Sequence, residues 1–314
     1  MDTYFFLIFS ILIFSFNLSK QNSLLDKLKD LEKNTDYGNT KGSGLESDAL
    51  RVTVASDSTG SLNVNQKEGY PLYISRGEDP NRETLYKFGF NSDVNATEES
   101  IWDVGGDYNW TSTTYTAYVV SSSSDDTNSS GIGAWKISIT GLDENYNLQT
   151  ATGIELNGTN EVTVSNYTWR RIFRAIVTEA GIEGENKGNI IIKNAPSGGS
   201  GTYQAQITTG KNQTLMAIYT VPNGYDLYLD DITVTSAITT GNTYGTFRFL
   251  TRETGSNKVF QTKLQNVIQS NKVVYKFEYP LKITSKTDID TKFISTGSNN
   301  PVSCTFQGIL VKTS

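Results

Sequence analysis

Histidine is missing from the 314 residues, and Cys304 is the lone cysteine. With no imidazole there is no histidine base to activate a nucleophile, which removes most hydrolase templates. The same two absences exclude an internal disulfide and a Cys/His zinc site. Cys304 lies in the strand-like run Val302-Ser-Cys-Thr-Phe-Gln307 and reads as a small buried residue rather than a nucleophile. Proline is scarce, at six, and no motif recurs at a fixed period, so a fibrous shaft, a β-helix and a propeller are set aside. Basic residues do not dominate either. There are 27 Lys and Arg against 33 Asp and Glu, interspersed, for a net charge of -6. That balance suits solubility and offers no phosphate-binding surface, so nucleic acid is not an expected partner. Gly198-Gly-Ser-Gly201 is followed by no Lys-Ser/Thr pair and opens no helix, and reads as a loop, not a phosphate cradle.

What the chain does contain is short aromatic and β-branched runs separated by Gly, Asn, Asp and Ser, the pattern of an all-β sandwich or jelly roll. Strands are predicted at 114–121, 134–140, 153–156, 169–177, 189–193, 203–208, 214–221, 225–237, 246–252, 258–263, 272–279, 281–285, 293–296 and 303–312. Val221-Pro-Asn-Gly224 is predicted to close a hairpin, with Pro222 presetting φ and Gly224 supplying a positive one. A further short strand is expected where Leu50, Val52 and Val54 alternate with Arg51 and Thr53.

Residues 1–22 form an apolar leader or anchor in this reading. Tyr4 to Phe16 has the length of a signal-peptide hydrophobic region and falls short of the roughly 20 residues of a membrane helix. Residues 23–48 hold a short amphipathic helix, with Leu24, Leu28 and Leu31 on one face, and a polar, Gly-rich linker. Two β-sandwich regions follow, 49–194 and 195–314, with the boundary at Asn194 to Gly201; the alternative is one continuous β domain over 68–314.

Three groups of side chains stand out. Arg170, Arg171 and Arg174 among apolar residues suit a subunit seam, as does the leucine face of the helix. Trp102, Trp110 and Tyr115 are candidates for stacking on a glycan. Carboxylates at Asp125-Asp126, Asp230-Asp231 and Asp288-Ile-Asp290 are where a structural calcium would bind; no other cofactor is called for. Asp143, Asn145 and Asn147 start like a calcium loop, but Leu148 stands where that loop needs Gly, so a turn is expected. Paired carboxylates would suffice for glycoside hydrolysis, and 33 acids single out no pair.

Longer segments carry a resemblance. Ser100-Ile-Trp-Asp-Val-Gly-Gly-Asp-Tyr-Asn-Trp110, Gly141-Leu-Asp-Glu-Asn-Tyr-Asn147, Ile154-Glu-Leu-Asn-Gly-Thr159, Asn166-Tyr-Thr-Trp-Arg-Arg-Ile-Phe-Arg-Ala-Ile-Val177, Gln213-Thr-Leu-Met-Ala-Ile-Tyr-Thr-Val-Pro222 and Lys286-Thr-Asp-Ile289 resemble virion structural proteins of tailed marine phages, over Ser100 to Ile289. The resemblance implies a virion structural protein. Attachment through the helix and display of the β-body would suit a non-enzymatic head decoration or fibre protein on the particle exterior, with itself as a homotrimer, because a short leucine-striped helix and the β-body gain stability from symmetry, and major capsid or tail proteins as partners. It carries no catalytic motif. The alternatives are a tail-fibre or receptor-binding protein that grips host surface glycans, a glycan depolymerase, and, if residues 1–22 are a signal peptide, a secreted cell-surface adhesin.

Overall fold

Side chains that alternate between core and solvent mark the strands of this computed structural model. Tyr115–Ser121 is the plainest case, with every second residue buried. The structure describes residues 70–238, 244–269, 271–297 and 299–313. The expected helix with Leu24, Leu28 and Leu31, the strand at 50–54 and the apolar leader all lie outside the described residues. The helix that is described, α1, is Tyr70–Ser75. No helix among the described residues is long and apolar enough to cross a membrane.

Four antiparallel sheets follow. In the first, β1 (Arg82–Val94), β16 (Asn300–Lys312), β11 (Tyr225–Ser236) and β14 (Asn271–Ile283) are neighbours in that order. The second runs β10 (Tyr219–Thr220), β15 (Thr287–Ser295), β12 (Gly245–Glu253), β13 (Gln261–Ile268), with β2 (Glu99–Ser100) also on β15. Their facing side chains share one core, in which the Phe249 and Phe306 rings meet edge to face at 5.7 Å. The third sheet is β6 (Val162–Trp169), β3 (Tyr115–Ser121), β8 (Ile190–Lys193), β9 (Tyr203–Ile207), and the fourth is β5 (Leu148–Glu155), β4 (Ala134–Leu142), β7 (Arg171–Ala180). These two enclose a second core around Trp169, Ile137, Ile139 and Ile192. The body is therefore all-β and built as two sandwiches.

The second sandwich is inserted into the first. Strand β1 pairs with β16 from Arg82↔Val311 to Asn91↔Val302, the chain then builds β3 to β9, and it returns at β10. The sheets do not follow the division at 194/195: Asn194 to Gly201 joins β8 to β9 within one sheet, where Lys193 faces Tyr203. The expected strand 169–177 breaks at Arg170, because β6 pairs with β3 while β7 pairs with β4 in another sheet. Val221 to Gly224 is a turn with Gly224 at φ 78°, as its residues dictate, yet it is not a hairpin. It carries the chain from β10 in the second sheet to β11 in the first. Of 214–221 only Tyr219–Thr220 enters a ladder, and the two strands expected at 272–279 and 281–285 form the single strand β14, which ends at Ile283 and has a register shift between Lys276 and Leu281.

Gly89 shows how closely β1 packs against the segments at Ile101 and Ala217, both of the first core. A Cβ built there would collide with the Ala217 amide nitrogen and the Ile101 carbonyl oxygen, both backbone atoms that cannot swing away. Gly89→Ala is expected to cost about 1–3 kcal/mol through overpacking, read as a lowered denaturation midpoint in urea.

Candidate functional site

The polar side chains of greatest chemical potential gather where the two sandwiches meet. On β15, Asp288 and Asp290 are two residues apart and so share a strand face, and each is 1% exposed. Arg171, 5% exposed at the start of β7, reaches across from the inserted sandwich and grips Asp288 as a fork, Nε to Oδ1 at 3.0 Å and Nη2 to Oδ2 at 3.0 Å. Thr220 Oγ1 donates to Asp288 Oδ1 at 2.7 Å, and Arg252 on β12 donates from Nη2 to Oδ2 at 2.6 Å. The remaining Arg171 nitrogen donates to the Thr111 and Arg170 carbonyls, both at 2.8 Å. Every strong acceptor position on Asp288 is thus taken by a donor.

Trp110 fills the centre of this seam. The guanidinium carbons of Arg171 and Arg252 stand 5.1 Å and 5.5 Å from its ring, and Tyr108 and Phe260 pack on it at 4.9 Å and 5.3 Å. Its Nε1 donates to Asp290 Oδ2 at 3.2 Å, which also accepts from Ser100 Oγ at 3.2 Å. Asp290 Oδ1 is buried with no partner. Burial pushes the Asp290 carboxyl up to about 6, against the opposing influence of the Lys292 charge and of its two donors.

Two further groups carry shifted charges, Asp103 beside the second core and Lys87 across the boundary. Asp103 accepts from Thr208 Oγ1 on the far side of β9 at 3.0 Å, and burial lifts its carboxyl to about 7. Lys87 on β1 donates from Nζ to the Phe173 carbonyl of β7 at 2.6 Å. Burial, aided by the nearby Arg174 charge, brings its ammonium down to about 7.

The shifted carboxyl has a measurable consequence. The folded-state value of about 6 for Asp290 lies above its ordinary 3.8, so the folded protein holds that proton more tightly than the unfolded chain does. Its contribution to stability is therefore fully present below about pH 3.8 and lost as the pH rises through about 6. Asp290→Asn, which cannot ionise and keeps an acceptor for Trp110 and Ser100, is expected to exceed the wild type by on the order of 2 kcal/mol at about pH 8, and to lose that advantage below about pH 3.5. Urea midpoints at the two pH values measure this; an advantage equal at both would contradict the assignment.

The expected sites land differently. Arg171 is an internal tie and cannot serve a subunit seam. Arg170 is half-buried, stacks over Tyr146 at 5.5 Å and donates to the Ser112 carbonyl, whereas Arg174 is exposed. Trp102 and Tyr115 are buried and offer no ring to a glycan, while Trp110 is half-buried and packed by Tyr108, Phe260 and the two guanidinium groups. Of the acid clusters, Asp126 is saturated by Ser121 Oγ and the amides of Ala134, Lys187 and Gly188 at 2.6 to 2.9 Å. Those donors occupy the oxygens a calcium would need. Asp231 accepts from Gln307, and no group of three metal-ligating side chains occurs among the described residues. Asp143 caps a turn, accepting from the Asn145 and Asn147 amides, both at 2.8 Å. The residues that sequence reasoning missed are Asp288, Arg252, Phe260 and Asp290 in their role as a tie; their one visible signal was the Asp-x-Asp spacing, which also suits a metal.

No family model matches the chain, and no curated protein is similar to it. Among solved structures the chain is similar to that of infectious bursal disease virus, Gx strain, at 8% identity, covering 74% of this chain and 76% of that one with a TM-score of 0.19. T=1 particles derived from infectious bursal virus give 9% identity, 74% coverage of each chain and a TM-score of 0.15. Scores this low establish no common fold, and nothing below is built on them.

Proposed function

We propose that the chain is a non-enzymatic structural component of a virion, displayed on the particle exterior as a head decoration or fibre protein. The resemblance of Ser100 to Ile289 to virion proteins of marine tailed phages gives the reading its direction. The observation that carries it is the seam: Arg171, Arg252, Asp288 and Trp110 are consumed in holding two sandwiches together. A chain with no disulfide to staple it gains rigidity this way, which a part exposed on a particle needs. The one close carboxylate pair in that seam, Asp288 and Asp290, is shut away from substrate, which favours a building role over glycoside hydrolysis.

Purified particles of the phage that encodes the chain provide the test. Quantitative mass spectrometry is expected to find the protein at a fixed copy number per particle, and an antibody against the folded body is expected to decorate intact virions. Recovery from infected cells but not from washed particles would refute the proposal.

A further inference from the structure

Strand β14 ends the first sheet, with β11 as its one neighbour among the described strands. The opposite end of that sheet is closed: Phe90 of β1 donates its amide to the Leu215 carbonyl, and Lys87 reaches the Phe173 carbonyl. No such bond covers residues 272–280 among the described residues. The inward row of β14, Val273, Tyr275 and Phe277, packs on the core yet stays half-exposed. The outward Val274 is 53% exposed and Tyr279 81%. A long edge with apolar residues on both faces is what a sheet leaves open for another strand.

We propose that this edge pairs with the same edge of a second copy of the chain, antiparallel about a two-fold axis at Tyr275. The charges select that register. With Tyr275 opposite its own copy, Lys272 faces Glu278 twice, once on each side of the axis, and neither residue has an ion-pair partner within the chain among the described residues. The inward row then continues across the axis, Val273 against Phe277 and Tyr275 against Tyr275, joining the two cores through cross-strand contacts. Moving the axis to Val274 sets Lys272 against Lys276, and moving it to Lys276 sets that lysine against itself, so both neighbouring registers are repelled. Against β11 the register is lost between Lys276 and Leu281, but exposure keeps alternating through Phe277, half-buried, and Glu278, exposed, and stops at Tyr279, so the open-side pairing is limited to about the seven residues from Lys272 to Glu278. An isologous contact of this kind closes after two copies.

The proposal stands apart from the virion reading, and sedimentation equilibrium of the full chain tests it. The wild type is expected to be a dimer at micromolar concentration. Glu278→Lys alone and Lys272→Glu alone are each expected to weaken association about tenfold, because the symmetry counts every change twice. The combined Lys272→Glu/Glu278→Lys protein is expected to regain wild-type association, which a variant damaged in folding would not do; both positions are exposed, and unchanged thermal melting confirms the fold. A monomer up to about 100 µM, or an assembly indifferent to the two reversals, would overturn it.

Discussion

Asp288→Ala is expected to destabilise the protein by about 3–5 kcal/mol. The alanine removes the countercharge of Arg171, whose guanidinium stays 5% exposed with an apolar ring on one side and nowhere to turn for solvent. It also frees Arg252 and leaves Thr220 Oγ1 without its acceptor. Losing one partner of a buried pair is costly because the other charge remains, whereas losing both to apolar residues of like volume is close to neutral. Arg171→Met combined with Asp288→Leu is accordingly expected to recover most of the loss. Because the pair joins the sandwiches, Asp288→Ala is further expected to split one cooperative urea transition into two, read by intrinsic tryptophan fluorescence against far-ultraviolet circular dichroism. A loss below about 1 kcal/mol, the range of an exposed ion pair, would mean that the seam does not hold the halves.

Phe306→Ala carries the second large effect, about 3–5 kcal/mol. Phe306 on β16 is fully buried and meets Phe249 on β12, so its ring spans the two sheets of the first sandwich. Truncation removes the apolar surface and leaves a void bounded by rigid strands, which relax little. Phe249→Ala is expected to cost a similar amount, and the double mutant less than the sum by about 0.5–1.5 kcal/mol, the worth of an edge-to-face pair. Strict additivity in a double-mutant cycle would show that the rings do not touch.

Much of this fold could be read from alternation. Strands β3, β11 and β16 show their period of two directly, and Cys304 is buried as its neighbours suggest. Strand β1 escaped notice for a physical reason: Leu85-Tyr-Lys-Phe-Gly-Phe90 places a lysine and a glycine where a core-facing strand should show apolar bulk. Lys87 is buried there because the inserted sandwich supplies a carbonyl for it, and Gly89 is required because backbone presses against it. Neither fact exists until distant segments meet. The turn at Val221 to Gly224 was legible as a turn, but which sheets it joins depends on partners elsewhere in the chain.

The seam was harder still. Arg171 and Asp288 are 117 residues apart, and each taken alone looks like a surface charge on a strand. Trp110 looked like a ring free to stack on a ligand; four neighbours contributed by three separate segments occupy it. Local pattern reports which residues alternate, and says nothing of which charges will be enclosed together. That is also why the acids of β15 suggested calcium, when two arginines fill the part a cation would play.

Cryo-electron microscopy of the intact particle tests the central claim most directly. The account predicts density on the outer surface into which both sandwiches fit as one body, joined through Trp110, Arg171 and Asp288. A particle resolved to side-chain detail with no such density on its exterior would contradict it.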